Sequence, residues 1–354
     1  MYEDIWETEE SHAFSNPRLS QIELGDLKEK FPAHIFLTTS GTTSLKWVAL
    51  SKKAFLASAE AVNRHIDTSL KDIWINSLPY FHVGGLSIYA RAYLGKTFVY
   101  RYDNKWNPLE WAAFTEDKRG TLTSLVPTQL WDLLQQNIKP PKWLRALFIG
   151  GQKLSSDLYD EAKGKGWPIL PTYGMTELCS QIATAPFNLF RFNSSEMILL
   201  PHIEAKVAPD GRLSLKSPAL LTGYLTPDFV DPKINGWFET DDLVALNGRT
   251  LTPLGRVNDV IKISGELVNL YQLERHLDEL KRRLNLSIET ALIPQPDERA
   301  GFRLHLYHTP YDVRPLIESF NASVAPFSRI SQTIELPTLP KTPLGKIAKT
   351  SLFP

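Results

Sequence analysis

The sequence has almost no cysteine, since Cys179 stands alone among 354 residues. A lone cysteine excludes an intrachain disulfide and a metal site built from several cysteines, and it is typical of the reducing cytoplasm. A net charge is also lacking: 39 basic residues balance 39 acidic ones, so nothing indicates a nucleic-acid partner. No apolar run reaches the ~20 residues that a membrane-spanning helix needs. We therefore expect a cytoplasmic globular protein in which Cys179 is a small buried residue.

What the sequence does contain is a cluster of small hydroxyl residues between Leu37 and Ser51, LTTSGTTSLKWVALS. Hydroxyl and backbone N–H groups around a glycine can close on phosphate oxygens, and a lysine at the rim supplies the opposite charge. The Walker pattern GxxxxGK[ST] is absent. Taken alone, the cluster predicts either a phosphate-binding loop or an ordinary Ser/Thr-rich turn between two strands. Its candidate residues are Thr39, Ser40, Gly41, Thr42, Thr43 and Lys46.

Apolar runs that predict strands alternate with helical stretches through the first half of the chain. We expect strands at 34–38, 47–50, 73–78, 97–100, 122–126, 146–149 and 168–170, and helices at 52–66, 86–94, 108–116, 128–136 and 155–164. This alternation favours an α/β fold with mostly parallel sheets flanked by helices. Short strands and turn signals predict a small β-rich subdomain at about 190–256. We therefore predict a large N-terminal domain, 1–256, and a small α+β C-terminal domain, 257–354.

Six further motifs follow the hydroxyl-rich cluster in a fixed order. They are LPYFHVGGL (78–86), FIGGQKL (148–154), PTYGMTELCSQ (171–181), GWFETDDL (236–243), GRVNDVIKISGELVN (255–269) and LPKTPLGKI (339–347). Each motif is weak alone, but the ordered set is very specific. From Phe36 to Ile347 the chain resembles the adenylate-forming superfamily of acyl- and aryl-CoA ligases, luciferases and peptide-synthetase adenylation domains. The resemblance implies that family's fold and its reaction, in which a carboxylate is activated by Mg·ATP as an acyl-adenylate and a thiol then displaces AMP.

The resemblance also implies a role for each matching residue around the nucleotide. The hydroxyl-rich loop and Lys46 would wrap the β- and γ-phosphates. Tyr173, followed by Gly174, would lie against the adenine, and Thr176 would hold the α-phosphate. Glu177 would bind Mg²⁺, a hard cation that favours carboxylate oxygen.

Other roles implied by the resemblance fall near the end of the chain. Asp242 would accept hydrogen bonds from both ribose hydroxyls, with Arg256 nearby. Lys346 would bridge the reacting carboxylate and the α-phosphate and would offset charge in the transition state. Asn258 would lie at the hinge of a domain rotation, and Gly265 would line the pantetheine tunnel of coenzyme A.

The acyl pocket indicates which acid is used. The resemblance implies that His82 and Gly150–Gly151 line this pocket. It also implies that His82 replaces the aspartate with which related enzymes hold the amine of amino-acid substrates. Arg91 lies on the following helix, where its guanidinium would pair with a second carboxylate. FHVGGLSIYAR, together with Ser180 after YGMTELC, resembles the o-succinylbenzoate–CoA ligases of menaquinone biosynthesis, which use a dicarboxylate. An arginine on the helix surface is the alternative reading of Arg91.

The sequence departs from the family in two respects. Its loop, TSGTTSLK, is one residue shorter than the usual TSGTTGxPK, and it begins near the start of the chain, which predicts a shortened N-terminus. Surface left uncovered in this way makes a homodimer a reasonable expectation. Alternatives to the predicted ligase are another aryl- or acyl-CoA ligase, an enzyme that loads a carrier protein, and a nucleotide-binding protein without catalysis. Retention of Glu177, Asp242, Arg256 and Lys346 favours an enzyme.

Overall fold

A computed structural model describes residues 4–15, 30–38, 46–152, 154–187, 196–226, 228–341 and 347–352. The chain divides into two compact units. Unit 1 comprises residues 1–208, 213–240 and 246–252, and unit 2 comprises residues 209–212, 241–245 and 253–354. The boundary predicted at residue 256 remains a prediction, because each of these units consists of several segments and the chain is not divided at a single residue.

The described residues form seven α-helices and 21 strands. The helices are α1 Lys52–His65, α2 Val83–Gly95, α3 Pro108–Asp117, α4 Pro127–Gln135, α5 Ser156–Gly164, α6 Leu270–Arg283 and α7 Arg314–Ser323. The first strands are β1 His12–Phe14, β2 His34–Thr38, β3 Trp47–Ser51, β4 Ile73–Asn76, β5 Phe98–Arg101, β6 Leu122–Leu125, β7 Ala146–Ile149, β8 Ile169–Met175, β9 Ser180–Thr184 and β10 Met197–Leu199. The others are β11 Glu204–Val207, β12 Arg212–Lys216, β13 Gly223–Leu225, β14 Phe229–Val230, β15 Phe238–Asn247, β16 Thr250–Arg256, β17 Val260–Ile263, β18 Glu266–Asn269, β19 Thr290–Asp297, β20 Gly301–His308 and β21 Ile330–Glu335.

A large mixed sheet has the strand order β11-β12-β15-β16-β10-β9-β8-β7-β6-β4-β5. Only the strands β4 to β8 pair in parallel, and from β8 to β9 the pairing becomes antiparallel. The parallel part is the region in which helices alternate with strands, because parallel neighbours need a crossover connection. The predicted α/β class is therefore confirmed, and within this large sheet the parallel pairing involves five strands.

A second sheet of unit 1 has the order β1-β2-β3-β13-β14. Strands β2 and β3 form an antiparallel pair in which His34 lies opposite Ser51, and β13 pairs with β3 on the other side. The predicted β-rich segment after residue 190 thus contributes strands to both sheets of unit 1. Its strands do not form a separate sheet, because β10 pairs with β9 and β13 pairs with β3.

Local sequence explains where the helices begin. The Ser51 hydroxyl accepts a hydrogen bond from the Ala54 N–H at the start of α1, and Ser155 caps α5 in the same way through Leu158. Helix α3 begins with Pro108 after an Asn107 cap, so its first N–H groups are satisfied. Helices α3, α4 and α5 surround a buried cluster that includes Trp111, Leu130 and Trp167. None of the described helices is long and apolar enough to cross a membrane.

Unit 2 has a core of its own. Strands β19, β20 and β21 form a three-stranded sheet, β17 and β18 form a hairpin, and α6 packs against α7. The apolar side chains of these elements, including Leu292, Leu306 and Phe320, form one buried cluster. This α+β architecture agrees with the class predicted from the sequence for the C-terminal part of the chain. Strand β18 is short and polar, with residues ELVN, so it has little apolar periodicity.

A buried ion pair fixes the start of β4. The Asp72 carboxylate accepts hydrogen bonds from Nε and Nη2 of Arg145 at 2.6 and 2.7 Å, and also from the Ser69 N–H and the Thr121 hydroxyl. Arg145 also donates to the carbonyl of Ile66 at the end of α1. Burial alone would raise the pKa of Asp72, but these hydrogen bonds outweigh burial and lower the pKa. Helix α1, β4 and the start of β7 are thereby joined.

Replacing Asp72 with alanine should lower the free energy of unfolding by about 3 kcal/mol, because Arg145 would lose its buried carboxylate. Urea unfolding at pH 7 measures this loss, and Glu60→Ala is the control, since Glu60 pairs with Arg64 on the exposed surface. Because the folded-state pKa of Asp72 is lowered, its contribution is present above the unfolded pKa of about 3.9 and is lost as the pH falls through the folded value. Equal unfolding free energies for the two variants would contradict this account.

Candidate active site

A tight hairpin presents the residues of the YGMTE motif. Strand β8 ends at Met175, a short 3₁₀ turn covers Thr176–Leu178, and β9 returns from Ser180. The hairpin is bulged after Tyr173, and Gly174 lies so close to β9 that a Cβ there would collide with the Ser180 carbonyl oxygen. Thr176 and Glu177 are therefore held together on the turn, and their roles as nucleotide ligands remain predictions.

Glu177 is joined to Lys46 through Tyr224. The Tyr224 hydroxyl donates to Oε1 of Glu177 at 2.9 Å, and Nζ of Lys46 lies 3.8 Å from the centroid of the Tyr224 ring. The Leu221 N–H also donates to the Glu177 carbonyl at 2.8 Å. The two predicted ligands of the polyphosphate and its metal thus lie on either side of one tyrosine. Sequence reasoning missed Tyr224, since a tyrosine in a short strand carries no distinctive signal.

The residues present fit a magnesium ion that arrives with a nucleotide. Among the described residues no group of three or more His, Cys, Asp or Glu side chains could hold a metal. Glu177 supplies a single carboxylate, and Mg²⁺ in such sites is commonly held by one or two carboxylates together with substrate phosphates and water. Glu177 could therefore bind Mg²⁺ as part of Mg·ATP, while a dedicated protein cage for the ion is not found in this part of the chain.

Arg91 is a buried cation. Its side chain is 1% exposed on α2, and its guanidinium carbon lies 5.6 Å from the ring centroids of Trp74 and Phe148. Its Nη2 donates to the Ser180 hydroxyl at 3.2 Å, but Nε is buried with no hydrogen-bond partner. The structure therefore rules out the alternative of a surface arginine.

The charge of Arg91 is incompletely compensated. Burial lowers the pKa of Arg91 to about 9, so the side chain is still a cation at neutral pH. Within the described ranges, no carboxylate forms an ion pair with Arg91. Two ring faces and one hydroxyl offset part of the cost of burying a guanidinium. The arrangement is therefore suited to receiving an anion from a ligand.

His82 begins helix α2, at the carboxyl end of β4. It occupies the N-cap position, and its ring packs on that of Phe81 at 4.8 Å between centroids. The loop before the helix is closed by a hydrogen bond from the Asn76 amide to the Gly85 carbonyl at 3.0 Å. At Gly85 a Cβ would collide with the Pro79 carbonyl oxygen, so only glycine allows this close approach.

Gly150 and Gly151 follow the carboxyl end of β7 directly. The FHVGG loop, these glycines and the YGMTE hairpin therefore follow the ends of the parallel strands β4, β7 and β8. In open α/β sheets, ligands bind outside the carboxyl ends of the strands, where the loops supply polar groups. This edge of unit 1 is the candidate active site.

Two predicted ribose ligands meet within unit 2. Asp242 is buried on β15, and its Oδ1 accepts a hydrogen bond from Nε of Arg256 at 2.8 Å. The Arg256 side chain is mostly exposed, and the backbone N–H of Arg256 donates a hydrogen bond to the Asp259 carboxylate. Gly265 lies in the exposed turn between β17 and β18. Asp242 and Arg256 thus contact each other and Gly265 is accessible, while their roles at the ribose and the pantetheine remain predictions.

Several predicted site residues lie outside the described part of the chain. They are Thr39, Ser40, Gly41, Thr42 and Thr43 of the hydroxyl-rich loop, the terminal Lys346 and the side chain of Asn258. Cys179 is fully buried at the end of the 3₁₀ turn, and burial raises the pKa of its thiol well above the usual value. The expectation that Cys179 is a buried structural residue is confirmed.

The loops at the carboxyl edge of the parallel strands are typical of ligand-binding α/β proteins, and comparison with known proteins gives the family. A family model described as AMP-binding enzyme matches residues 7–225. The chain belongs to this AMP-binding enzyme family, the adenylate-forming superfamily that the motifs indicated.

Similar proteins with names and solved structures are also found. The 2-succinylbenzoate–CoA ligase of Staphylococcus aureus (strain MRSA252) is 28% identical over 328 residues, which are 89% of this chain and 65% of that protein. The chain thus spans less than two thirds of the length of this relative. The o-succinylbenzoate CoA synthetase (MenE) of Bacillus subtilis, in complex with the acyl-adenylate OSB-AMP, has a TM-score of 0.80 at 24% identity, covering 90% of this chain and 68% of that one. Wild-type E. coli MenE with a bound analogue of OSB-AMS has a TM-score of 0.70 at 26% identity, with the same coverage.

Replacing Gly174 with alanine should destabilise the hairpin by about 2 kcal/mol, because the new methyl group would force β8 and β9 apart. Thermal unfolding measures the loss. Gly164→Ala is the matched control, since a Cβ at the end of α5 meets no atom within 4 Å. If both variants unfolded at the temperature of the unmodified chain, the close packing described for Gly174 would be wrong.

Proposed function

We propose that this chain is an ATP-dependent ligase that joins o-succinylbenzoate to coenzyme A through an acyl-adenylate. The observation that carries the proposal is the buried Arg91, which faces Ser180 at the carboxyl edge of the parallel strands. A dicarboxylate substrate has one carboxylate to be activated and a second that can pair with this guanidinium. Hydrogen bonds between an arginine and a carboxylate are charge-assisted, and they are stronger than hydrogen bonds between neutral groups.

The comparisons support the choice of acid. The S. aureus relatives are named for 2-succinylbenzoate, and the B. subtilis and E. coli MenE structures contain OSB-AMP or analogues related to it. His82 stands where amino-acid-activating members of the superfamily carry an aspartate for the substrate amine. Both facts favour an aromatic dicarboxylate over an amino acid.

In the first half-reaction the succinyl carboxylate of the substrate would attack the α-phosphorus of ATP, and pyrophosphate would leave. Magnesium, when bound, supplies charge neutralisation on the phosphates, and Glu177 would hold it. Lys46 and the hydroxyl-rich loop would bind the β- and γ-phosphates, and Thr176 would hold the α-phosphate. Lys346 would donate hydrogen bonds to both the attacking carboxylate and the α-phosphate, which stabilises the charge of the transition state.

In the second half-reaction the thiol of coenzyme A would attack the acyl carbon of the adenylate, and AMP would leave. The small C-terminal domain, 257–354, would rotate about the segment at Asn258 and present Gly265 to the pantetheine. Hinge motions of this kind separate the steps of many enzymes. Asp242 would bind the ribose, with Arg256 orienting its carboxylate.

The proposal includes the setting of the reaction. ATP, the aromatic acid and coenzyme A are the small-molecule partners, and menaquinone biosynthesis is the pathway in which this thioester is used. A cytoplasmic location fits the single buried cysteine. A homodimer is a further prediction from the sequence, and light scattering of the purified chain tests it.

Replacing Arg91 with alanine should raise KM for o-succinylbenzoate about tenfold to a hundredfold and leave KM for ATP nearly unchanged, because a hydrogen-bonded charge pair with substrate is lost. Pyrophosphate exchange dependent on the acid measures both constants. Arg64→Ala is the control, since Arg64 is an exposed arginine paired with Glu60 on the surface.

A second acid sharpens this test. 4-Oxo-4-phenylbutanoate lacks the aromatic carboxylate, so it should bind the unmodified chain poorly and should lose little more on Arg91→Ala. The two losses would then be non-additive, as expected of groups that contact each other. An unchanged KM for o-succinylbenzoate in Arg91→Ala would overturn the substrate assignment. Exchange with other acids alone would favour another acyl-CoA ligase, and exchange with none would favour a non-catalytic nucleotide-binding protein.

Replacing Lys346 with alanine should lower the rate of adenylate formation about a thousandfold or more. The reason is that the negative charge of the transition state would lose the cation that stabilises it. The same variant should convert pre-made o-succinylbenzoyl-adenylate and coenzyme A to the thioester at nearly the unmodified rate. Single-turnover assays of the two half-reactions measure this separation. Loss of both half-reactions together would contradict the assigned role of Lys346.

A further inference from the structure

Tyr224 contacts the two oppositely charged residues that the proposed reaction needs nearest the phosphates. The ring face of Tyr224 receives the ammonium of Lys46, with Nζ 3.8 Å from the ring centroid. Its hydroxyl donates to Oε1 of Glu177 at 2.9 Å. One neutral side chain therefore contacts a cation through the face of its ring and an anion through its hydroxyl.

The position of Tyr224 is fixed by the backbone around it. Strand β13 pairs with β3 so that Tyr224 lies opposite Val48, two residues after Lys46. The preceding residues are held by hydrogen bonds from the Leu221 N–H to the Glu177 carbonyl and from the Thr222 N–H to the Ala49 carbonyl, both at 2.8 Å. The same segment that carries Tyr224 is thus bonded to the strand after Lys46 and to the turn that carries Glu177.

A second group of contacts secures this segment from the other side. The Lys233 ammonium donates to the carbonyls of Leu221 and Thr222 at 2.9 and 2.8 Å. The Thr222 hydroxyl lies 2.7 Å from Nε2 of His34, whose Nδ1 lies 2.7 Å from the Pro32 carbonyl. Because Nδ1 donates to that carbonyl, Nε2 of a neutral His34 accepts from Thr222. Tyr224 therefore has little freedom to move away from Lys46 and Glu177.

The charges on either side of Tyr224 have different proposed ligands. Lys46 would bind phosphate oxygens, whereas Glu177 would bind Mg²⁺. If the ammonium and the carboxylate paired directly, each would neutralise the other, and the nucleotide would have to break that ion pair before binding. An aromatic ring between them holds both at close range without making them partners.

We infer that Tyr224 is a positioning residue that holds the Glu177 carboxylate for Mg²⁺ and keeps Lys46 available for phosphate. The inference rests on the proposed function, since it assumes that Mg·ATP binds at this edge. The hydroxyl aims the carboxylate, and the ring separates the two charges. Substitutions can remove the hydroxyl alone or the hydroxyl together with the ring, so the two roles can be tested separately.

The test measures nucleotide binding and not turnover. Calorimetric titration of the full chain with the α,β-methylene analogue of ATP, in which the bond broken by the proposed reaction is replaced, gives its Kd at a series of Mg²⁺ concentrations and in EDTA. Tyr224→Phe keeps the ring and removes the hydroxyl, so the Mg²⁺ concentration for half-maximal binding should rise about tenfold while binding in EDTA is unchanged. Tyr224→Ala also removes the ring, so affinity should fall in EDTA as well, because Lys46 and Glu177 can then pair.

Tyr93→Phe is the matched control, since the Tyr93 hydroxyl donates to Glu7 at 3.0 Å on the surface of the same unit. It should leave the Mg²⁺ dependence and the affinity unchanged. Glu177→Gln should itself raise the Mg²⁺ requirement, and adding Tyr224→Phe to it should cause little further change.

The outcomes separate the inference from the function on which it rests. If the unmodified chain binds no Mg²⁺-analogue complex, the proposed function fails. If it binds, and Tyr224→Phe shows the unmodified Mg²⁺ dependence, the inference fails alone. A Tyr224→Phe variant that loses affinity equally with Mg²⁺ and in EDTA, with a lower unfolding temperature, would show a merely structural role and would also overturn the inference.

Discussion

The buried charge of Arg91 is the constraint around which the candidate active site is arranged. Taking a guanidinium out of water costs several kcal/mol unless other groups replace the lost hydration. Here the replacement is incomplete: two aromatic rings face the cation and one hydroxyl accepts a hydrogen bond. Ser180 can take this position only because β9 returns close to β8 at Gly174. The hairpin that presents Thr176 and Glu177 therefore also supplies the hydroxyl that faces Arg91.

Elsewhere along this edge of the sheet, the ends of the strands likewise fix the loops that carry the candidate site residues. The end of β4 closes the His82 loop through Asn76, and the end of β8 leads into the turn with Glu177. Rigid strands hold each loop at its base, which is why function concentrates in these loops while the buried strands keep them in place. Tyr224 adds a link from the second sheet of unit 1 to the same turn.

Local patterns predicted much of this fold. Strands β2 and β7 lie at the predicted residues, because each is a short apolar run, and α1 begins at the predicted residue after its Ser51 cap. Strand β8 extends beyond the predicted end at residue 170, because its second half is stabilised by pairing with β9. The resemblance of the motifs predicted Glu177 and Arg91 as site residues. It could not identify Tyr224 or Asn76, whose importance comes from contacts with residues distant in sequence or with backbone atoms.

The pairing of β13 with β3 has a consequence for how the protein is made. Residues 52–222 separate these strands in sequence, so their contact closes a long loop, and the entropy of closing it is lost before the contact stabilises the fold. Contacts of this kind form late, whereas the neighbouring strands β4 to β8 can pair during synthesis as each crossover is completed. A growing chain can thus assemble the buried surroundings of Arg91 before Tyr224 has left the ribosome. The surroundings of Arg91 and the contacts of Tyr224 are therefore completed at different times during folding.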